Sequence, residues 1–455
     1  MRHGARRVTP RPVATRPFRA MNQNSSTRTW LAMVALGLAV MAGSLGSSTR
    51  IGAAESATPA VRRSAADEAI ARWTQRTTVA ANDPDAWTSL GDAFMQKARE
   101  TADPAYYRRA EAAYQKALGV GPRHAGALAG MAWVQGALHE FEQSVEWARK
   151  ALAVDPTYQP AHGLLGDAAL ETGDYDLAFE HYQKMLDLRP DLSSYSRGAQ
   201  VLWLTGNQRK AVWMMDKAVN AGASYAENTA WARAQLALLL WRQGALLPAE
   251  QVLEVALKAT PGNHHVLAAM AKVKTARGDY RTAIDHYKRA IAVVPQFETV
   301  VALGDLYAVT GQKDEAEKQY ALVETINRLN LAAGVRTDLQ MAKFYADHDR
   351  NVAQAAQEAE AASRTRKNVY AFDTLAWSYY KAGRYEEARS AIRKALARHT
   401  PDAEILFHAG MIYARLGDRV TAQRFLYGAL SVNPHFHPAH AATAAATLAQ
   451  LGGTE

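Results

Sequence analysis

The stretch GDYDLAFEHYQKMLDLRP, residues 173–190, returns at residues 278–295 as GDYRTAIDHYKRAIAVVP. Gly, Asp, Tyr, Ala, the His-Tyr pair and Pro keep their register. A repeated phrase is either a second copy of an active site or a second copy of a packing unit. Within the first copy Leu177, Ala178, Tyr182, Met185 and Leu186 recur at helical spacing. Gly173 breaks the pattern before them, Asp174 is placed to cap the helix by accepting from its free backbone donors, and Pro190 stops it. Leu164, Leu165, Ala168 and Ala169 mark another helix just upstream, so the unit is a helical hairpin.

Prolines measure the period. Pro122, Pro156 and Pro190 are spaced by 34 residues, and so are Pro261 and Pro295. The turn glycines Gly173, Gly206, Gly244 and Gly278 keep the same count, with one irregularity in the loop at residues 221–227. A fixed period of this size is the signature of a repeat array.

The residues inside the period are specific. Trp87, Leu90, Gly91 and Phe94, then Ala110, Tyr114, Ala117 and Pro122, follow an order that resembles the tetratricopeptide repeat, with extra residues in the first turn. The order returns as Leu165, Gly166, Ala178, Tyr182; as Leu303, Gly304, Tyr307, Ala316, Tyr320; as Leu375, Ala376, Tyr379, Ala388, Ala395; and as Gly410, Tyr413, Ala422, Ala429. About ten units fit residues 83–434, with an irregularity around residues 323–340, where a longer helix is expected to run to Gly334. A lone helix is expected at residues 63–82 and a capping helix at residues 435–451. The resemblance implies an all-α fold, a right-handed superhelical solenoid of antiparallel helix hairpins. The small residues let paired helices approach closely, the tyrosines fill the gap beside them, and stacking is obligatory because no hairpin buries its face alone.

The formal charge of +9 suggests a nucleic-acid partner until it is located. Residues 1–55 hold eight arginines and one acid, Glu55, whereas the rest of the chain is nearly balanced. No nucleic-acid partner is expected. Behind the arginines, residues 29–49 carry no charge and are dense in Leu, Ala, Val and Met. A basic segment, an apolar run and small residues make residues 1–54 an export signal, cleaved after Ala54, or a single membrane anchor with the body outside the cytoplasm. Met21 is an alternative start. The protein is therefore expected to be exported, periplasmic, extracellular or anchored facing outward, with membrane contact only through this segment.

The chain has no cysteine, which excludes disulfides, thiol nucleophiles and thiolate metal sites. No phosphate-binding loop or catalytic pair is found: HEFEQ at His139 has Gln143 where a zinc-protease helix needs a histidine. Neither an enzyme nor a cofactor is expected. The densest cluster of metal-ligating type is His435, His437 and His440 in NPHFHPAH, and a metal-binding or metal-regulated accessory protein is the alternative function.

In tetratricopeptide arrays the first helix of each hairpin lines a concave groove that holds a protein or peptide. Carried onto this sequence, that geometry nominates Trp133, Asp167, Trp203, Trp231, Trp241, Asp305, Phe344, Tyr370, Trp377, Tyr380 and Phe407 as the lining. Aromatic side chains are favoured interface anchors. The recurring LGD places Asp92, Asp167 and Asp305 on that face, which disfavours a carboxylate-terminated ligand. His181 and His286, beside the packing tyrosines, are expected to face outward. The expected function is a scaffold for a protein or peptide partner.

Overall fold

The computed structural model describes residues 64–452, which form 22 α-helices and, among the described residues, no strand. The expected leader lies outside the described residues. A single helix, α1 (Ala65–Val79), precedes ten antiparallel hairpins, and α22 (His440–Gly452) follows them. The hairpins are α2–α3 (Pro84–Thr101, Ala105–Val120), α4–α5 (Ala125–Ala137, Phe141–Val154), α6–α7 (Gln159–Glu171, Tyr175–Leu188), α8–α9 (Leu192–Leu204, Gln208–Ala221) and α10–α11 (Ala226–Arg242, Leu246–Ala259). They continue as α12–α13 (His264–Ala276, Tyr280–Val293), α14–α15 (Phe297–Val309, Lys313–Ala332), α16–α17 (Asp338–Asp347, Val352–Thr365), α18–α19 (Val369–Lys381, Tyr385–Leu396) and α20–α21 (Ala403–Arg415, Arg419–Val432). Each hairpin stacks on the next, and the result is an all-α solenoid.

The two repeated phrases are α7 and α13 with their leading turns. Gly173 and Gly278 sit at φ +85° and +76°, where a side chain is disfavoured. Asp174 accepts the Leu177 N–H at 3.1 Å and Asp279 the Thr282 N–H at 3.3 Å, so each caps its helix as expected. Helix α15 is the long one, at 20 residues, and Gly334 in the left-handed region follows its end.

In three of the hairpins a tyrosine of the second helix lies on a glycine of the first. A Cβ at Gly166 would meet the Tyr182 ring at 2.4 Å, and one at Gly304 would meet Tyr320 at 2.5 Å. Tyr114 fits between Gly91 of its own hairpin and Gly130 of the next, where a Cβ would stand 2.4 and 2.3 Å from its ring. Each hydroxyl then donates to the aspartate after the glycine: Tyr114 to Asp92 at 2.8 Å, Tyr182 to Asp167 at 2.8 Å and Tyr320 to Asp305 at 3.0 Å. The LGD motif is thus a receptor for the packing tyrosine, a role that its reading as an inner-face charge left out.

The solenoid closes on itself after six hairpins. Contacts between residues 192 to 197 apart join the turn inside one hairpin to the loop that leads into a hairpin six places later. The Glu171 carbonyl accepts the Lys367 N–H at 2.9 Å, and its carboxylate accepts from Arg366 at 2.9 Å and Asn368 at 2.7 Å. Beside it the Tyr175 hydroxyl accepts the Val369 N–H at 3.0 Å. Thr400 donates to the Leu204 carbonyl at 2.6 Å and Asn433 to the Trp241 carbonyl at 2.9 Å, which carries the seam along two more turns and the two loops that face them. His139 occupies a turn position that other hairpins give to glycine, at φ +65°, and its Nδ1 reaches the Arg336 carbonyl at 2.6 Å. A histidine stands there because its ring makes a seam contact that glycine cannot.

Two predictions follow from this packing. Gly130→Ala drives a methyl into the Tyr114 ring and destabilises by about 1–3 kcal/mol. Gly119→Ala, in α3 with open space around it, stabilises by about 0.4–1 kcal/mol, so thermal melts of the two variants shift in opposite directions. At the seam, Glu171→Ala removes two charge-assisted bonds worth about 1.5–3 kcal/mol each. Amide exchange at Lys367 and Val369 is expected to speed up, while exchange within α12–α13 stays unchanged.

Candidate functional site

The first helices of the hairpins face one another inside the coil. Glu227 on α10 accepts from Gln96 on α2 at 3.2 Å, lies 3.8 Å from the Arg99 guanidinium and faces His265 of α12 at 3.2 Å. Arg99 also stands over the Trp231 ring at 5.7 Å. Helices far apart in the chain therefore meet across the inner face through one carboxylate.

Further along, Asp305 gathers a second cluster. Besides the Tyr320 hydroxyl it meets His348 Nε2 at 2.6 Å, and its other oxygen faces His437 Nε2 at 3.6 Å. Burial alone would raise the Asp305 pKa, but the hydrogen bonds and charges of His348 and His437 overturn this and hold it well below the usual carboxylate range. Burial lowers the His348 pKa in turn, and the Asp305 partnership more than restores it, so the net shift is upward. Lys343 bridges Asp347 at 2.7 Å and Glu404 at 3.1 Å, and Tyr370 donates to Asp402 at 3.4 Å.

These contacts decide how much of the nominated lining is open. Five of the eleven side chains are buried: Trp203, Trp241, Phe344, Trp377 and Phe407. Trp377 is sandwiched between Tyr380 at 4.8 Å and His408 at 4.2 Å, while Phe407 stacks on His440 at 4.9 Å and touches Phe436 at 5.7 Å. Phe344 packs against Phe297, Tyr320 and His348. Trp203 lies under Arg242 at 5.5 Å and Trp241 under Lys272 at 4.4 Å. An expectation of eleven accessible groove residues is corrected here, because side chains of the same and the adjoining hairpins cover these five. The other six, Trp133, Asp167, Trp231, Asp305, Tyr370 and Tyr380, are half-buried. Of these, Asp167 is consumed by Tyr182 and by a bidentate pair with Arg197, at 2.8 and 2.7 Å.

The histidines also move from their expected places. His181 is buried, not outward, with its Nδ1 2.8 Å from His162 Nδ1, while His286 is half-buried. His435, His437 and His440 do not converge. His435 is exposed and lines, with Arg277 and Tyr280, an open cleft of about 340 Å³; His437 borders the same cleft but stacks on the half-buried His440 at 4.1 Å. Nothing in the periodicity announced Glu171, Arg366, Asn368 or Asn433 as seam residues, since their partners lie nearly 200 residues away.

The Asp305–His348 pair makes stability depend on pH. The histidine side, with its raised folded pKa, contributes fully below the unfolded value of about 6.5 and is lost as pH rises through the folded value. The aspartate side, with its depressed pKa, contributes above about 3.9 and is lost as pH falls. The contribution is therefore greatest between about pH 4 and 6.5. His348→Gln is expected to flatten the fall in melting temperature between about pH 6 and 8 relative to the parent protein.

With the geometry in place, comparison with known proteins adds the following. A family model described as tetratricopeptide repeat matches residues 129–193, 269–327 and 374–424. Small glutamine-rich tetratricopeptide repeat-containing protein 2 of Saccharomyces cerevisiae is 35% identical over 78 residues, which are 17% of this chain and 22% of that relative's length. Among solved structures, yeast Tom70 aligns over 85% of this chain and 92% of its own at 13% identity and a TM-score of 0.37. Pseudomonas aeruginosa pilF aligns over 44% of this chain and 91% of its own at 20% identity and the same TM-score. The matched segments fall on hairpins that carry the glycine, alanine and tyrosine pattern, among them Gly166 with Tyr182 and Gly304 with Tyr320, so tetratricopeptide repeats are recognised over those three segments.

Proposed function

We propose that this protein is a non-enzymatic scaffold that works outside the cytoplasm and holds a protein or peptide partner against its inner face. The observation that carries the reading is the pair Trp133 and Trp231, large aromatic side chains that stay half-buried on the first helices of their hairpins while five neighbouring nominees are sealed in the core. Half-open aromatic surface on a rigid frame is what an interface anchor requires. Support for the location comes from the arginine-rich leader and its apolar run, residues 1–54. None of the described helices is long and apolar enough to cross a membrane.

A double variant, Trp133→Ala with Trp231→Ala, tests the groove. Both side chains are half-buried, so the variant is expected to keep its helical circular dichroism while losing partners that the parent captures from an extracytoplasmic extract. Equal capture by the two proteins would sink the groove reading.

A further inference from the structure

Helices α20 and α22 bring three side chains of metal-ligating type to one point. A carboxylate oxygen of Glu404 and one ring nitrogen each of His408 and His440 lie within 4.8 Å of one another. Glu404 and His408 are four residues apart on α20 and so share a face, and His440 opens α22. His408 is 1% exposed, and its Nδ1 lies 2.9 Å from Asp373 Oδ1. A carboxylate partner makes Nδ1 the protonated nitrogen and leaves Nε2 with a free lone pair. That buried Nε2 has no hydrogen-bond partner among the described residues, and neither has the buried Nδ1 of His440, 3.8 Å from Glu404 Oε1. Two orphaned ring nitrogens beside a carboxylate are costly unless a cation accepts their lone pairs.

We propose that Glu404, His408 and His440 form a binding site for a first-row divalent metal ion of the zinc type. Two imidazoles and one carboxylate suit a borderline ion, and they offer too few oxygens for calcium or magnesium. Asp373 orients His408 from behind and raises its basicity, the usual outer partner of a metal-bound histidine. Trp377 on His408 and Phe407 on His440 hold the two rings in place. Bonds of about 2.0–2.2 Å require the three atoms to draw together from their present spread. Three protein ligands leave a fourth position for water or for a side chain of another molecule.

The neighbouring charges set the competition. Lys343 contacts Glu404 Oε1 at 3.1 Å but also holds Asp347 at 2.7 Å, so it keeps a carboxylate when a metal takes Glu404. His437 is committed elsewhere: its Nδ1 accepts the N–H groups of Ala439 and His440 at 3.2 Å each, and its Nε2 faces Asp305. The site therefore differs from the histidine cluster visible in the sequence, sharing only His440 with it. It stands independently of the partner-binding reading.

Calorimetric titration of the chelator-stripped full chain with zinc alone tests the site. One equivalent is expected to bind, and His440→Gln and Glu404→Gln are each expected to lose it with helical circular dichroism unchanged. Asp373→Asn is expected to weaken it about 10–100-fold, Lys343→Met to tighten it and His435→Ala to leave it unaltered. A flat titration overturns the proposal, as does an equivalent that survives both ligand variants. If both ligand variants lose their helical signal, X-ray absorption of the zinc-loaded parent decides: two imidazoles with a carboxylate oxygen support the site, and fewer than two imidazoles overturn it.

Discussion

The contact on which everything else depends is a tyrosine ring packed against a glycine backbone. Tyr182 on Gly166, Tyr320 on Gly304 and Tyr114 between Gly91 and Gly130 set how closely two helices approach. The hydroxyl then finds the aspartate next to the glycine, so the same three residue types fix distance and rotation together. Hairpins of like shape stack one on the next, so a small geometric increment is repeated along the stack, and repetition makes curvature.

Curvature brings the chain back to itself. Six hairpins after Glu171 the coil presents Arg366, Lys367 and Asn368 to it, and similar meetings follow at Leu204 with Thr400 and Trp241 with Asn433. Backbone groups at a turn are normally satisfied by water, but here they are satisfied by another turn of the same protein. An array whose units touch only their neighbours has nearest-neighbour stability, whereas these seam bonds couple units far apart. Ordinary stacking of adjoining hairpins covers Trp203, Trp241 and Trp377, and the docking of α22 on the last hairpin lets Glu404, His408 and His440 share one small volume.

Turn glycines, helix caps and the count of hairpins were legible in the sequence because each depends on residues within one 34-residue period. Gly173 needs only its own φ, Asp174 only the next amides, and Tyr182 only a small residue sixteen positions back. The role of the LGD aspartates was missed although it is equally local, since a charged side chain reads as solvent-facing until the hydroxyl that it serves is seen. His181 was misplaced for a similar reason: its partner His162 lies on the other helix of the hairpin, in a position that periodicity does not flag.

Local order set by short-range sterics and hydrogen bonding could thus be read from residue types and their spacing: helices, their caps, the hairpin and its recurrence. The seam belongs to the coil as a whole: it rests on the pitch of the superhelix, a sum of many small rotations between hairpins, and no residue pattern within a single repeat encodes that sum. The half-open state of Trp133 and Trp231 and the meeting of His408 with His440 depend on how helices of different hairpins dock. The orphaned nitrogens of His408 and His440 become visible only when their surroundings are complete, because an unmet hydrogen bond is a property of a place and not of a residue.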